Sequence, residues 1–169
     1  MTAETKPAVS LMAGPQTEFF ESKARHPAMF SGRGGGKTVA DVTKGFAYVC
    51  EHPGAEGVLT APSFPMVKTT LLPTFRSLFG DYEGTFWIYK RADMEIVFPT
   101  LGSRIYLRPG NEPDRLRGMN LAFFGMGEIA IDHQHETFLI LFRLNTLLLY
   151  TLHLESQLNK IRGMSFCFD

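Results

Sequence analysis

Ser31-Gly32-Arg33-Gly34-Gly35-Gly36-Lys37-Thr38 follows the apolar run Ala28-Met29-Phe30 and precedes a segment in which Val39, Val42, Phe46 and Val49 recur every three or four residues. That order predicts a buried strand, a glycine-rich turn and a helix reaching about Cys50. Glycine lets the backbone take positive φ, so successive amide N–H groups can converge on anionic oxygens, and a helix starting at Thr38 points its positive dipole end at the same anion. Lys37 adds a mobile cation, and the Thr38 hydroxyl is placed to ligate the Mg²⁺ that accompanies ATP. The stretch reads as a Walker A loop. Its strict form has glycine where Ser31 stands, and serine closes the strand end if its φ stays negative. The competing reading, a flexible glycine linker ahead of a Lys-Thr pair, is opposed by the flanking strand and helix.

Working outward, residues 1–17 are mixed in polarity and contain proline, which predicts a flexible entry segment. A short helix is expected over Phe19 to Ala24. Beyond the long helix, Pro53 and Gly54 mark a stop, Gly57 to Ala61 reads as a second buried strand, and Met66 to Leu78 as a helix that Pro73 kinks. Three short β-rich runs, Phe86 to Tyr89, Met94 to Phe98 and Arg104 to Leu107, look like a small antiparallel addition. Leu121 to Met126 is almost continuously apolar, as a central strand buried on both faces would be. Alternating strand and helix predict an α/β fold with a mainly parallel sheet. The run Thr146 to Leu154 is rich in leucine, too short to span a membrane, and is expected as a core or interface helix.

The 169 residues fit one domain, and 17 basic against 17 acidic residues give no overall pull toward nucleic acid or membrane. Cys50 and Cys167 stand far apart without a metal-ligand pattern and read as reduced thiols of a cytoplasmic protein; Met1 to Ser10 lacks the apolar core of a signal peptide. His133 and His135 beside Asp132 read as a solvated helix entry, not a metal site. Arg104, Arg108, Arg115 and Arg117 could meet DNA phosphates or form an ordinary charged loop diluted by Glu112 and Asp114. Phe75, Phe79, Phe86 and Trp87 read as core. Glu128, at the end of the Leu121 to Met126 strand, falls where a catalytic carboxylate belongs in a phosphate-loop ATPase, or is an ordinary turn glutamate; Gly127 stands where an aspartate is expected.

Several motifs in this order, from Gln16 to Phe142, resemble the ATPase domain of the large terminase subunit of tailed bacteriophages. Gly14-Pro15-Gln16 with Phe19 and Phe20 is similar to its adenine-reading glutamine segment, Phe30 to Thr38 to its arginine-containing Walker A loop, and Thr60 to Met66 to the turn after the second strand. Gly102 to Tyr106, Asp114 to Gly118 and Leu121 to Ile129 resemble the approach to Walker B. The resemblance implies an ASCE-type, RecA-like P-loop NTPase domain over 18–144, incomplete at its C-terminal side, with a divergent apolar tail over 145–169. It implies a motor that hydrolyses ATP with Mg²⁺ to drive double-stranded DNA into a procapsid, as a homo-oligomeric ring beside the portal protein and small terminase subunit, off the membrane.

In that reading Gln16, Ser31, Gly32, Arg33, Gly34, Gly35, Gly36, Lys37 and Thr38 bind nucleotide, Thr38 also holds the metal, and Glu128 activates water. Arg33 would offset charge at the γ-phosphate, grip phosphate or lie solvated. After Glu136 the pattern fades, although Thr137 to Arg143 still resembles the helix after Walker B. The family's coupling strand and nuclease domain are expected to be missing, as in a truncated or frame-shifted form that would be short of central strands. The alternatives are a nucleotide-binding remnant or assembly protein with impaired hydrolysis, and a small-molecule kinase, which the lack of a recognisable lid weakens.

Overall fold

The computed structural model describes residues 10–32 and 34–127, and the backbone of 147–153. Seven strands form one sheet in the order β1 (Ala28–Ser31), β7 (Leu147–His153), β6 (Phe123–Gly127), β2 (Glu56–Ala61), β5 (Ser103–Pro109), β4 (Glu95–Phe98) and β3 (Ile88–Lys90). The first five run parallel, and β4 and β3 continue as an antiparallel edge. The mainly parallel α/β expectation is thereby met.

The strand and helix on either side of the glycine loop fall where the sequence puts them: β1 ends at Ser31 and α2 (Lys37–Glu51) begins at Lys37. A short helix does precede β1, but it starts earlier than expected. Helix α1 (Pro15–Glu21) has Pro15 in its first turn, where its missing N–H costs nothing, so residues expected to be flexible up to 17 are partly helical.

Helix α3 (Phe64–Met66) passes through a π-helical turn, Val67–Leu71, into α4 (Leu72–Phe79). Pro73 offers no N–H to the carbonyl four residues back, and the widened turn just ahead of it is the kink expected there.

Two expectations are corrected. Arg104 to Leu107 is not confined to an antiparallel addition: β5 pairs in parallel with β2, Glu56 level with Arg104, and takes β4 antiparallel on its other side. Residues 147–153, expected as a helix, form β7 between β1 and β6, with Ser31 level with His153 and Gly127 level with Thr151. A central strand expected to be missing is therefore present. The expected helix over Thr137 to Arg143 lies outside the described residues, as do His133 and His135.

The main core lies between the sheet and α2 and α4, built from Val42, Val49, Leu59, Phe75, Phe79, Trp87, Ile96 and Ile105 among others. Phe75, Phe79 and Trp87 are fully buried and Phe86 packs against them, as read from sequence. The Trp87 indole donates to the Phe79 carbonyl at 2.8 Å, which settles the one polar group of that cluster. A smaller cluster, Val58, Leu116, Leu121, Phe124 and Met126, occupies the opposite face.

Gly57 on β2 lies under the Phe123 ring, where an added Cβ would overlap Cε1 and Cζ. Gly57→Ala is expected to destabilise the fold by about 1–3 kcal/mol through overpacking, and thermal unfolding should show a midpoint lower by several degrees.

Candidate phosphate-binding site

The loop from Ser31 to Lys37 leaves the C-terminal end of β1 and enters α2. Ser31 is not among the residues with positive φ, so it closes the strand without glycine. Gly34 and Gly36 do take positive φ, 78° and 71°, and Gly36 is the residue immediately before α2. A Cβ on Gly36 would overlap Gln16 Nε2, and one on Gly35 would overlap Ser31 Oγ. The turn is thus a cradle of bare backbone that side chains would fill, as close approach of an anion to main-chain N–H groups requires.

Lys37 is buried, 9% exposed, and its ammonium donates to the carbonyls of Gly32 at 2.8 Å and Ser31 at 3.2 Å. Thr38 follows in the first turn of α2, half-buried. These groups fit a phosphate chain and its divalent cation: bare N–H groups and an ammonium for the anion, a hydroxyl for the metal.

Gln16, expected as a base-reading residue, is brought against this turn. Its side chain is 4% exposed; Oε1 accepts from the Met12 N–H at 2.8 Å and Nε2 donates to the Gly36 carbonyl at 3.1 Å. Arg33 and Glu128, the two expected catalytic residues, lie outside the described residues. Gly127, which precedes Glu128, ends β6. Between it and Ser31 runs β7, so the two strand ends stand about 10 Å apart across the sheet.

A residue the sequence reading passed over holds α1 in place. The Lys44 ammonium, from α2, donates to the carbonyls of Phe19, Phe20 and Ser22 at 2.8, 2.9 and 2.8 Å, at the C-terminal end of α1. It also lies 5.4 Å from the centre of the Phe19 ring. A cation at a helix C-terminus satisfies orphan carbonyls and opposes the dipole. Burial pulls its pKa below the ordinary lysine value, and Glu51 pulls the other way. No periodicity rule singles out such a lysine, because its partners are backbone atoms more than 20 residues away.

The basic set has local partners. Arg104 meets Glu56 and Glu95, Arg115 meets Glu112, Arg117 meets Asp114, and Arg108 donates to the carbonyls of Asp93, Met94 and Leu107. Among the described residues no group of three or more His, Cys, Asp or Glu side chains is arranged to hold a metal, and no helix is long and apolar enough to cross a membrane.

A five-strand parallel core with a glycine loop between its edge strand and the next helix defines the P-loop NTPase architecture. Solved structures similar to this chain are bacteriophage large terminases and the ATPase domain of one. The Thermus phage P74-26 large terminase ATPase domain matches with a TM-score of 0.59 and 17% identity over 84% of this chain and 64% of that one. The large terminase of another thermophilic bacteriophage matches in complex with ADP, TM-score 0.67 and 14% identity, over 82% of this chain and 38% of that one. Its complex with ATP-gamma-S matches with a TM-score of 0.63 and 17% identity, over 82% and 37%. The chain therefore has the large-terminase ATPase fold and spans less than two thirds of the length of these proteins. No family model matches, and no curated protein matches.

Lys44→Met should free the end of α1 at a cost of roughly 1.5–3 kcal/mol, the range for hydrogen bonds to a charged group. Hydrogen exchange at the Glu18 and Ser22 amides, which are bonded within and just after α1, should quicken while exchange in β2 and β5 stays unchanged.

Proposed function

We propose that this chain is the ATP-binding and ATP-hydrolysing motor domain of a phage large terminase, moving double-stranded viral DNA into a procapsid. The observation that carries the reading is the Gly34 to Lys37 cradle. Its positive-φ backbone and buried ammonium stand at the head of α2, at the C-terminal edge of a parallel sheet of the large-terminase fold. Lys37 and the loop N–H groups bind the phosphates of ATP, Thr38 takes Mg²⁺, and Gln16 belongs to the base-reading segment. Glu128 orients and activates water, and Arg33 acts on the phosphates. Bound Mg²⁺ neutralises phosphate charge; the chain's own groups position the anion and exclude side chains from its approach. A homo-oligomeric ring, the portal protein and the small terminase subunit are the partners this reading carries, in the host cytoplasm.

A second reading is favoured by one feature. β6 ends in Gly127, so the last strand position before Glu128 has no carboxylate, and a nucleotide-binding protein that turns over poorly, a remnant or an assembly factor, fits that end.

Both readings are separated by one pair of measurements on the full chain. Lys37→Ala is expected to weaken ATP binding about 10- to 100-fold by calorimetry, the loss of one charge-assisted contact. Glu128→Gln should leave binding intact and lower Mg²⁺-dependent hydrolysis by about 10²- to 10⁴-fold. Tight ATP binding with background turnover in the unaltered protein would establish the second reading; no ATP binding at all would sink both.

A further inference from the structure

The residues that lead into α1 end against the phosphate loop. Met12 donates its N–H to Gln16 Oε1 at 2.8 Å, and its carbonyl accepts the Thr17 hydroxyl at 3.0 Å, so the residue is fixed through both of its backbone polar groups. Gly14, with φ at 92°, makes the bend into α1, and its carbonyl accepts the Glu18 N–H at 3.0 Å. The Met12 side chain is left outside this turn, 56% exposed. Its methyl carbon stands 3.4 Å from the point that a Cβ on Gly36 would occupy. One exposed methionine is ordinary on a protein surface. This one is anchored on both sides and lies against the last loop residue before α2.

Gln16 lies in the same corner and is turned inward. It is 4% exposed, and its amide is engaged within the chain, Oε1 by the Met12 N–H and Nε2 by the Gly36 carbonyl at 3.1 Å. It stands in the first turn of α1, a helix held to α2 by the three bonds of the Lys44 ammonium and by the buried ring of Phe19. An amide in this position fixes Met12 and Gly36 relative to each other and offers no free edge to a base.

In a nucleoside triphosphate only the ribose separates the base from the α-phosphate. A base whose phosphates enter the loop therefore lies against a group that flanks it, and beside Gly36 that group is the Met12 thioether. A polarisable sulfur side chain packs favourably on an aromatic ring. Every base has a ring face, whereas telling one base from another takes donors and acceptors matched to its edges. The polar groups bonded around Met12, its own N–H and carbonyl, the Thr17 hydroxyl and the Gln16 amide, are engaged with one another or with Gly36.

We propose that the purine ring of the nucleotide rests on Met12, and that Gln16 is a positioning residue for Met12 and Gly36, so that the site takes purine nucleoside triphosphates with little preference between adenine and guanine. This rests on the nucleotide reading of the loop and names the ligand class of that site.

The full chain, labelled with ¹³C at its methionine methyls, is titrated in Mg²⁺ with ATP-gamma-S, GTP-gamma-S and inorganic tripolyphosphate, by NMR and by calorimetry. Of the eight methionine signals, that of Met12 is the one that Met12→Leu removes. Both nucleotides should move it upfield by ring current, and tripolyphosphate should not. The two nucleotides should bind within about fivefold of each other and more tightly than tripolyphosphate. Met12→Ser should weaken both by about 3- to 10-fold, the scale of a sulfur–aromatic contact, and leave tripolyphosphate unchanged, while Met12→Leu keeps most of the affinity. Gln16→Ala should weaken all three ligands by a common factor, since its effect passes through the loop.

A Met12 methyl signal that saturating nucleotide leaves in place overturns the proposal, and that reading needs Gln16→Ala neither to fold nor to bind. A preference for ATP-gamma-S over GTP-gamma-S greater than about fivefold, or a Gln16→Ala chain weakened toward ATP-gamma-S alone, overturns it as well, because either is the mark of a glutamine that reads the base. Tripolyphosphate that binds while the nucleotides leave the Met12 signal unmoved removes the role of Met12 and keeps the phosphate site. Failure of all three ligands to bind removes the nucleotide reading itself.

Discussion

The site depends on a lysine folded back on its own loop. The Lys37 ammonium satisfies the carbonyls of Ser31 and Gly32, and these bonds close the turn between β1 and α2 into a ring. An ammonium held this way is largely removed from water, so in the proposed nucleotide site a phosphate would replace two neutral acceptors with a charged one. The ring closes only because Gly34 and Gly36 take positive φ, which bends the backbone tightly enough for a residue of the helix to reach the strand end. Gly36 carries a second constraint: its carbonyl accepts the Ala40 N–H, the first turn of α2, and also the Gln16 amide. One peptide group thereby joins the helix start, the loop and α1.

Around that ring the packing is set by missing side chains as much as by large ones. Gly45 lets α2 lie close on β6 and β2, and Gly57 admits the Phe123 ring. Gly125 and Gly127 leave the α2-facing side of β6 bare near the phosphate loop, while Phe124 and Met126 fill the opposite face. The Thr60 hydroxyl uses this closeness from the neighbouring strand, donating to the Gly125 carbonyl at 3.3 Å. The middle of α2 therefore rests directly on the Phe123 and Leu59 side chains, which leaves less room for drift than a further layer of flexible side chains would.

What could be read from sequence was whatever a local signal fixes. Strand, glycine loop and helix were legible because all three signals sit within about 25 residues, and Phe123 to Gly127 because a strand buried on both faces is apolar throughout. The same rule explains the failure at Leu147–His153. A run of leucines shows neither a period of two nor one of 3.6, leucine favours helix, and only position in the sheet decides. β5 alternates buried and half-buried residues along its length, a pattern that gives its faces but not its neighbours, so its pairing with β2 had no local trace. Pro15 read as a linker residue because proline marks both turns and first helical turns. The Lys44 clamp was illegible for a further reason: it acquires its meaning from backbone that folding brings beside it.

Charge follows the same division between local and folded information. The arginines that stood out in sequence are engaged by acids three residues away or across adjacent strands, and Arg108 by main-chain carbonyls. Exposed pairs of this kind contribute little to stability, and each acid beside an arginine weakens the field that the set could present to a polyanion. Among the described residues the buried ionic groups are instead Lys37 and Asp41 on α2 and Glu95 on β4, the last paired with Lys90 and Arg104. In low dielectric a charge acts over longer distances than at the surface. A chain with no net charge can therefore still carry an anion site of the kind proposed, because a buried ammonium such as Lys37 acts locally and does not depend on the balance of the surface.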